Sequence, residues 1–132
     1  MPTVNNQRAL LIGDHKDNPN EVVTFAATAT HLYGLIYARA TSTGKLIPYV
    51  KGGVADGNGV PVAVLLMDSI SRVGAGDVNG VLVLIQGEVR KEQLIIFADG
   101  NSSNVDDAVI RLLKAAGIIV TKTVDHSGVN NF

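Results

Sequence analysis

The stretch Thr41-Ser42-Thr43-Gly44-Lys45-Leu46-Ile47-Pro48-Tyr49 pairs a glycine with a lysine, as a phosphate-binding loop does. Such a loop reads G-x-x-x-x-G-K-[ST], because its glycines let backbone N–H groups curl round phosphates while the hydroxyl holds Mg²⁺. Five positions before Gly44 stands Arg39, and Leu46 follows Lys45, so both ends of the motif fail. Pro48 biases Ile47 away from the helical region, so no helix is expected to follow. The stretch predicts a polar turn, with Gly44 at positive φ and Lys45 leading into a strand.

The other constellations are weaker. His15, His31 and His126 lack the spacing of metal ligands and read as exposed loop residues. Asp125-His126-Ser127 has the letters of a hydrolase triad, but adjacent side chains point apart and no G-x-S-x-G elbow occurs. From Asp99 to Ile110 the first positions resemble a calcium loop, yet Asn104 replaces its glycine and Ile110 its bidentate acid. Asn101-Ser102-Ser103 fits a glycosylation triplet, but reads as a turn without a secretory signal. Glu88, Glu92 and Asp68 are the acids nearest predicted strands, and Glu88 beside Arg90 reads as a solvated strand face. No catalytic, metal or cofactor site emerges.

Composition narrows the classes further. The 132 residues predict one domain with a modest core, 46% of them being hydrophobic. A net charge of −1 and scattered lysines and arginines give no field for nucleic acid or an anionic membrane. Only six residues are Tyr or Phe and none is Trp, so a stacking platform for single strands is not expected. There is no cysteine to build a disulfide framework. The N-terminus lacks the apolar core of a signal peptide, and no apolar run approaches the roughly 20 residues of a membrane span. The expectation is a soluble intracellular protein.

Two regimes divide the chain. Residues 1–33 mix Asn, Asp, Thr and Ala with two short apolar islands, Ala9-Leu10-Leu11-Ile12 and Val22-Val23-Thr24-Phe25, separated by the loop-like "GDHKDNPN". They predict either a strand tucked onto the domain or an extended arm that orders on a partner, and composition favours the arm. From Gly34 the pattern is β-rich. Strands are expected over residues 34–40 and 45–50. The continuous apolar runs Val62–Met67 and Val81–Ile85 read as strands buried on both faces. Residues 52–59 are a glycine-rich connection, and residues 94–97 a short apolar return. Capped by Ser103 or Asn104, a helix over residues 104–116 places Val105, Val109, Leu112, Leu113 and Ala116 on one face. Gly117 stops it, residues 118–122 close as a strand, and residues 124–132 form a tail. The fold class is mostly β with one late helix.

"ATSTGKLIPYV", the loop and strand "ADGNGVPVAVLLMDSI", then "DVNGVLVLIQGEVRKEQLII" and a helix ending "AAGIIV" occur in that order. In order and spacing this resembles the head decoration proteins of tailed bacteriophages, across about Gly34 to Val120. The resemblance implies a non-enzymatic structural protein of the virion. Such a protein binds the outside of the expanded head as a homotrimer, at threefold and quasi-threefold points of the major capsid protein lattice, and cements it against DNA pressure. It implies synthesis in the host bacterial cytoplasm, and no cofactor, nucleic acid or membrane partner. An N-terminal arm bearing Ala9, Leu10, Leu11, Ile12, Val22, Val23 and Phe25 would then pair with an exposed capsid strand. The competing reading is a β-rich adhesion or carbohydrate-binding module that stacks Tyr33, Tyr37 and Tyr49 on sugar rings.

Overall fold

The computed structural model describes residues 10–122. Eight strands are β1 (Leu11–Phe25), β2 (Ala29–Leu32), β3 (Ile36–Arg39), β4 (Leu46–Pro48), β5 (Pro61–Leu65), β6 (Ser69–Arg72), β7 (Gly76–Arg90) and β8 (Ile118–Thr121). The single helix among the described residues, α1 (Asp107–Ala115), comes late, as expected. Six strands run in the order β1-β4-β3-β5-β7-β8, and additional β1–β7 pairing closes the sheet into a barrel-like body. β2 and β6 form a separate antiparallel pair, His31 opposite Ile70.

Alternate side chains of the central strands enter two cores. On β5, Val64 faces one cluster while Ala63 and Leu65 face the other. On β3, Ile36 and Ala38 face the first and Tyr37 the second. The expected strands Val62–Met67 and Val81–Ile85 are therefore covered on both faces, which is why their sequences run apolar without alternation. The first core is sealed by α1 through Val109 and Leu113, with Val105 and Leu94 beside them. The second is sealed by Val23 and Phe25 of β1 and by Ile70 of β6.

β7 changes allegiance along its length. Val81 and Val83 face the second core, Leu84 and Val89 the first, so parity shifts between 84 and 89. Lys16 pairs with Gln86 and Asp17 with Leu84, so β7 carries one extra residue there. A bulge of this kind turns the following side chains to the opposite face. Gly87 lies beside it at φ 152°, where a Cβ would come within 2.8 Å of the His15 Cβ.

The expected free arm over residues 1–33 needs correcting wherever the chain is described. β1 pairs antiparallel with β7 from Leu11 opposite Val89 to Phe25 opposite Gly76, and Val23 also pairs with Leu46 of β4. Leu10, Val23 and Phe25 are buried at 0–1% exposure. The tucked strand holds over Leu10 to Phe25 because two ladder edges and two cores reward its ordering. The polar residues 13–20 that suggest a linker form the exposed, irregular middle of this strand, with register shifts on either side.

Other boundaries move for local reasons. The helix starts at Asp107 rather than 104, capped by Asp106, whose carboxylate accepts from the Val109 N–H at 3.2 Å. Val105 is fully buried ahead of that cap, so the chain must enter the core before the helix can start. Ser69–Arg72 pairs with β2, and residues 76–80 extend β7 beyond the apolar run Val81–Ile85. Residues 94–97 are no ladder strand: a 3-10 turn, Lys91–Gln93, precedes isolated bridges from Ile95 to Leu35 and from Ile96 to Asn101.

Candidate functional site

The Gly-Lys stretch is a turn. Gly44 adopts φ 75°, its N–H donates to the Ala40 carbonyl at 2.8 Å, and the Ala40 N–H donates to the Lys45 carbonyl at 2.8 Å. The Ser42 N–H and hydroxyl both donate to Asp56, at 2.8 and 2.6 Å, tying the turn to the glycine-rich loop. Lys45 reaches Asp77 at 2.6 Å instead of a ligand.

Four surface acids are occupied in the same way. The Ser42 hydroxyl holds the Asp56 carboxyl below its ordinary range. Lys45 does so for Asp77, Lys51 for Asp106 and Lys122 for Asp107, each chiefly through a direct hydrogen bond. These groups favour the ionised state, the opposite of a carboxylic acid poised to donate a proton. Glu88 is not simply solvated, since it accepts a hydrogen bond from the Thr121 hydroxyl across the β7–β8 pair. No group of three His, Cys, Asp or Glu that could hold a metal occurs among the described residues. The Ser103 N–H donates to Asn101 Oδ1 at 2.9 Å, and Asn104 to Asp99, so the calcium-like stretch bonds to itself.

The least expected site surrounds His31. Instead of an exposed loop residue, it is the one buried polar side chain among the described residues, at 1% exposure. Its ring stacks on Phe25 at 4.0 Å, and Phe97 meets it edge-on at 5.3 Å. His31 Nδ1 and the Tyr37 hydroxyl share a 2.8 Å hydrogen bond. Burial lowers the His31 pKa to about 4 and raises that of Tyr37. The imidazole is thus neutral near pH 7, satisfied by Tyr37 and sandwiched by aromatics. Alternation in β2 was the available signal: Thr30 and Leu32 point outward, which aims His31 inward. His15 is exposed, and His126 lies outside the described residues.

An apolar groove of about 440 Å³ opens over this group, with Phe25, His31, Ile47, Pro48, Val50 and Phe97 in its walls. Among the described residues no acid, lysine or arginine lines it. Val50 and Phe97 are each 42% exposed at its mouth. Its aromatic surface offers no sugar platform of the expected kind: Tyr37 and Tyr49 are buried at 0 and 1%, and Tyr33 is half-buried. A buried ring cannot stack on a glycan.

The expected arm residues separate. Leu10 lies in the first core and Val23 and Phe25 in the second, Leu11, Ile12 and Val22 are half-buried, and Ala9 lies outside the described residues. What the fold does bring together is the two ends of the described chain. The Arg90 N–H donates to the Leu10 carbonyl at 2.9 Å, and Arg90 pairs on its other side with Thr121 of β8. Leu10 and Lys122 therefore flank one end of β7.

The described residues form a barrel-like β body with one late helix, and three lysines of its surface are held in ion pairs. The family model for bacteriophage lambda head decoration protein D matches residues 2–118, and the chain belongs to that family. No curated protein matches it. The family consists of structural proteins of the phage capsid and is not an enzyme class. Capsid decoration, a virion location and a capsid partner follow at that level.

Proposed function

We propose that this protein is a cement for the expanded phage head. It sits as a homotrimer on the outer surface, at threefold and quasi-threefold points of the major capsid protein lattice, and holds the shell against the pressure of packaged DNA. It is made in the host bacterial cytoplasm and needs neither nucleic acid nor a membrane as partner. The observation that carries this reading is membership of the head decoration family across residues 2–118. A ligand that binds the expanded lattice and not its precursor stabilises the expanded state by mass action, without a catalytic group.

Leu10, Arg90 and Thr121 lie side by side, so the segment before Leu10, Ala9 included, starts at that end of β7. We assign this end to the capsid. An extended segment there can add to an exposed capsid strand, with main-chain hydrogen bonds supplying affinity. Ordering each residue costs about 1–2 kcal/mol, which three linked copies offset through effective concentration. The half-buried Leu11 and Ile12 continue from that segment into the body, while Leu10, Val23 and Phe25 act from within by fixing β1.

Co-sedimentation with expanded and unexpanded shells of the cognate phage tests the reading. Saturable binding to expanded shells alone, with more DNA-filled heads surviving heating, is the expected result. Equal binding to both shells, or binding without added survival, would contradict the cementing role.

A further inference from the structure

We infer that Arg90 anchors the body to the shell, its guanidinium receiving a carboxylate of the major capsid protein. The inference rests on the cementing reading above and adds to it a residue and the chemistry of its partner. Cross-strand pairing sets the face on which Arg90 stands. Glu88 lies opposite Ile12 of β1 and Ile119 of β8, and Arg90 lies opposite Thr121. Paired residues share a face, and Val89 between them points into the first core with Ile118. Ile12, Glu88, Arg90, Ile119 and Thr121 therefore stand together on the side of the sheet away from that core.

On this face Arg90 is half-buried, yet its side chain meets no acceptor among the described residues, and its buried Nε has no hydrogen-bond partner. The neighbouring carboxylate is already engaged, since Glu88 accepts from the Thr121 hydroxyl. Other cations of the body differ. Arg39, Lys45, Lys51 and Lys122 each hold a carboxylate at 2.6–2.8 Å. Arg72, whose Nε is also buried without an acceptor, still donates through Nη2 to the Ala75 carbonyl at 3.1 Å. A half-buried guanidinium with an unmet N–H has given up hydration without gaining a partner. Its planar fork matches a carboxylate through two parallel N–H···O bonds.

Position names the partner. The Arg90 N–H donates to the Leu10 carbonyl, so this cation stands where the segment assigned to the capsid begins. The face is continuous with that contact, and a capsid partner goes with the family. Ile119, 44% exposed, and the half-buried Ile12 flank the charged pair of positions. Seated on the shell, they would keep water from the new ion pair and so strengthen it. Arg90 would thus fix the register of the body on the lattice, while the segment before Leu10 supplies main-chain pairing.

Arg90→Gln and Arg90→Lys in the full chain test this, by co-sedimentation with expanded shells of the cognate phage and by unfolding midpoints. Affinity should fall at least about tenfold for Arg90→Gln, the effect of removing one side of a desolvated ion pair. Arg90→Lys should lie between, because an ammonium keeps the charge and loses the fork. The midpoint should hold or rise, since no partner within the protein is lost. Added salt should weaken the unsubstituted protein more steeply than Arg90→Gln. Undiminished binding by Arg90→Gln, beside saturable binding by the unsubstituted protein, would overturn this inference and leave the cementing reading standing. A midpoint lowered in step with affinity would overturn it too, making Arg90 a structural support. Loss of self-association in place of shell affinity would assign Arg90 to a second copy and overturn it as well. Failure of the unsubstituted protein to bind expanded shells would bring down the cementing reading itself, and this inference with it.

Discussion

The two cores on opposite faces of the same strands differ in kind. The first, under α1, is aliphatic apart from the buried Tyr49 ring and the half-buried Tyr33 beside it, and is sealed by Leu113, Val109, Leu94 and Ile118. The second holds Phe25, Tyr37 and the neutral His31, and one side of it opens into the groove. The first is a closed support for β7 and β8. The second packs a polar ring at the edge of a cavity, which makes its stability sensitive to protons and to whatever fills the groove.

Gly34 breaks the distinction by failing both sides at once. It sits at φ 93°, and an added Cβ would come within 2.0 Å of the Gln93 carbonyl oxygen. Its N–H donates to Leu65 and its carbonyl accepts from Ile95, beside strands that feed both cores. Gly34→Ala should cost more than about 4 kcal/mol, in the range reserved for severe steric faults, and leave little folded protein by circular dichroism.

Leu84→Ala separates the two sides. It empties a fully buried site of the first core and should cost about 2–5 kcal/mol in denaturant unfolding. Because Leu84 faces away from the second core, the ring signals of His31 in NMR spectra should stay near their original positions in the protein that remains folded.

Acid sharpens the contrast from the other side. The pKa of His31 falls from 6.5 to about 4 on folding, so the unfolded chain binds this proton more readily. Stability from this group is complete above about pH 6.5, declines as pH falls, and is lost by about pH 4, amounting to at most about 3 kcal/mol. Unfolding midpoints measured between pH 4 and 7 should show this slope, and His31→Gln should flatten it. A slope that survived the substitution would assign the proton elsewhere.

Asp106→Ala is the mildest probe. It removes the cap of α1 and the partner of Lys51, both at an exposed position, and should lower the unfolding midpoint only slightly. The loss should be registered by the first core without changing the His31 titration.

How much of this the sequence revealed depends on the range of the interaction. The Gly44 turn was legible because its chemistry is local, as was the late helix, from the spacing of Val105, Val109 and Leu113. The apolar runs on β5 and β7 announced burial on both faces, and the two cores explain them. The helix start was misplaced because Ser103, Asn104 and Asp106 are all acceptable caps, and only the burial of Val105 chooses among them. β1 was obscured by its polar middle, since what holds it is β7, more than fifty residues away in sequence. The site around His31 was hidden for a related reason: Phe25 and Tyr37 are near in sequence but reach it from separate strands, and Phe97 comes from a distant part of the chain.

The central claim is that the body folds by itself, β1 included, and that the segment before Leu10 makes the grip on the shell. Deleting residues 1–25 would remove β1 and confuse the two, because Val23 and Phe25 belong to the second core. The direct measurement is therefore affinity for expanded shells and the unfolding midpoint, taken together, for the full chain and for a chain lacking residues 1–9. The account predicts an unchanged midpoint with affinity reduced by at least about tenfold, the loss of roughly 1.4 kcal/mol of binding. Unchanged affinity in a folded truncated protein would contradict it and move the capsid contact onto the body.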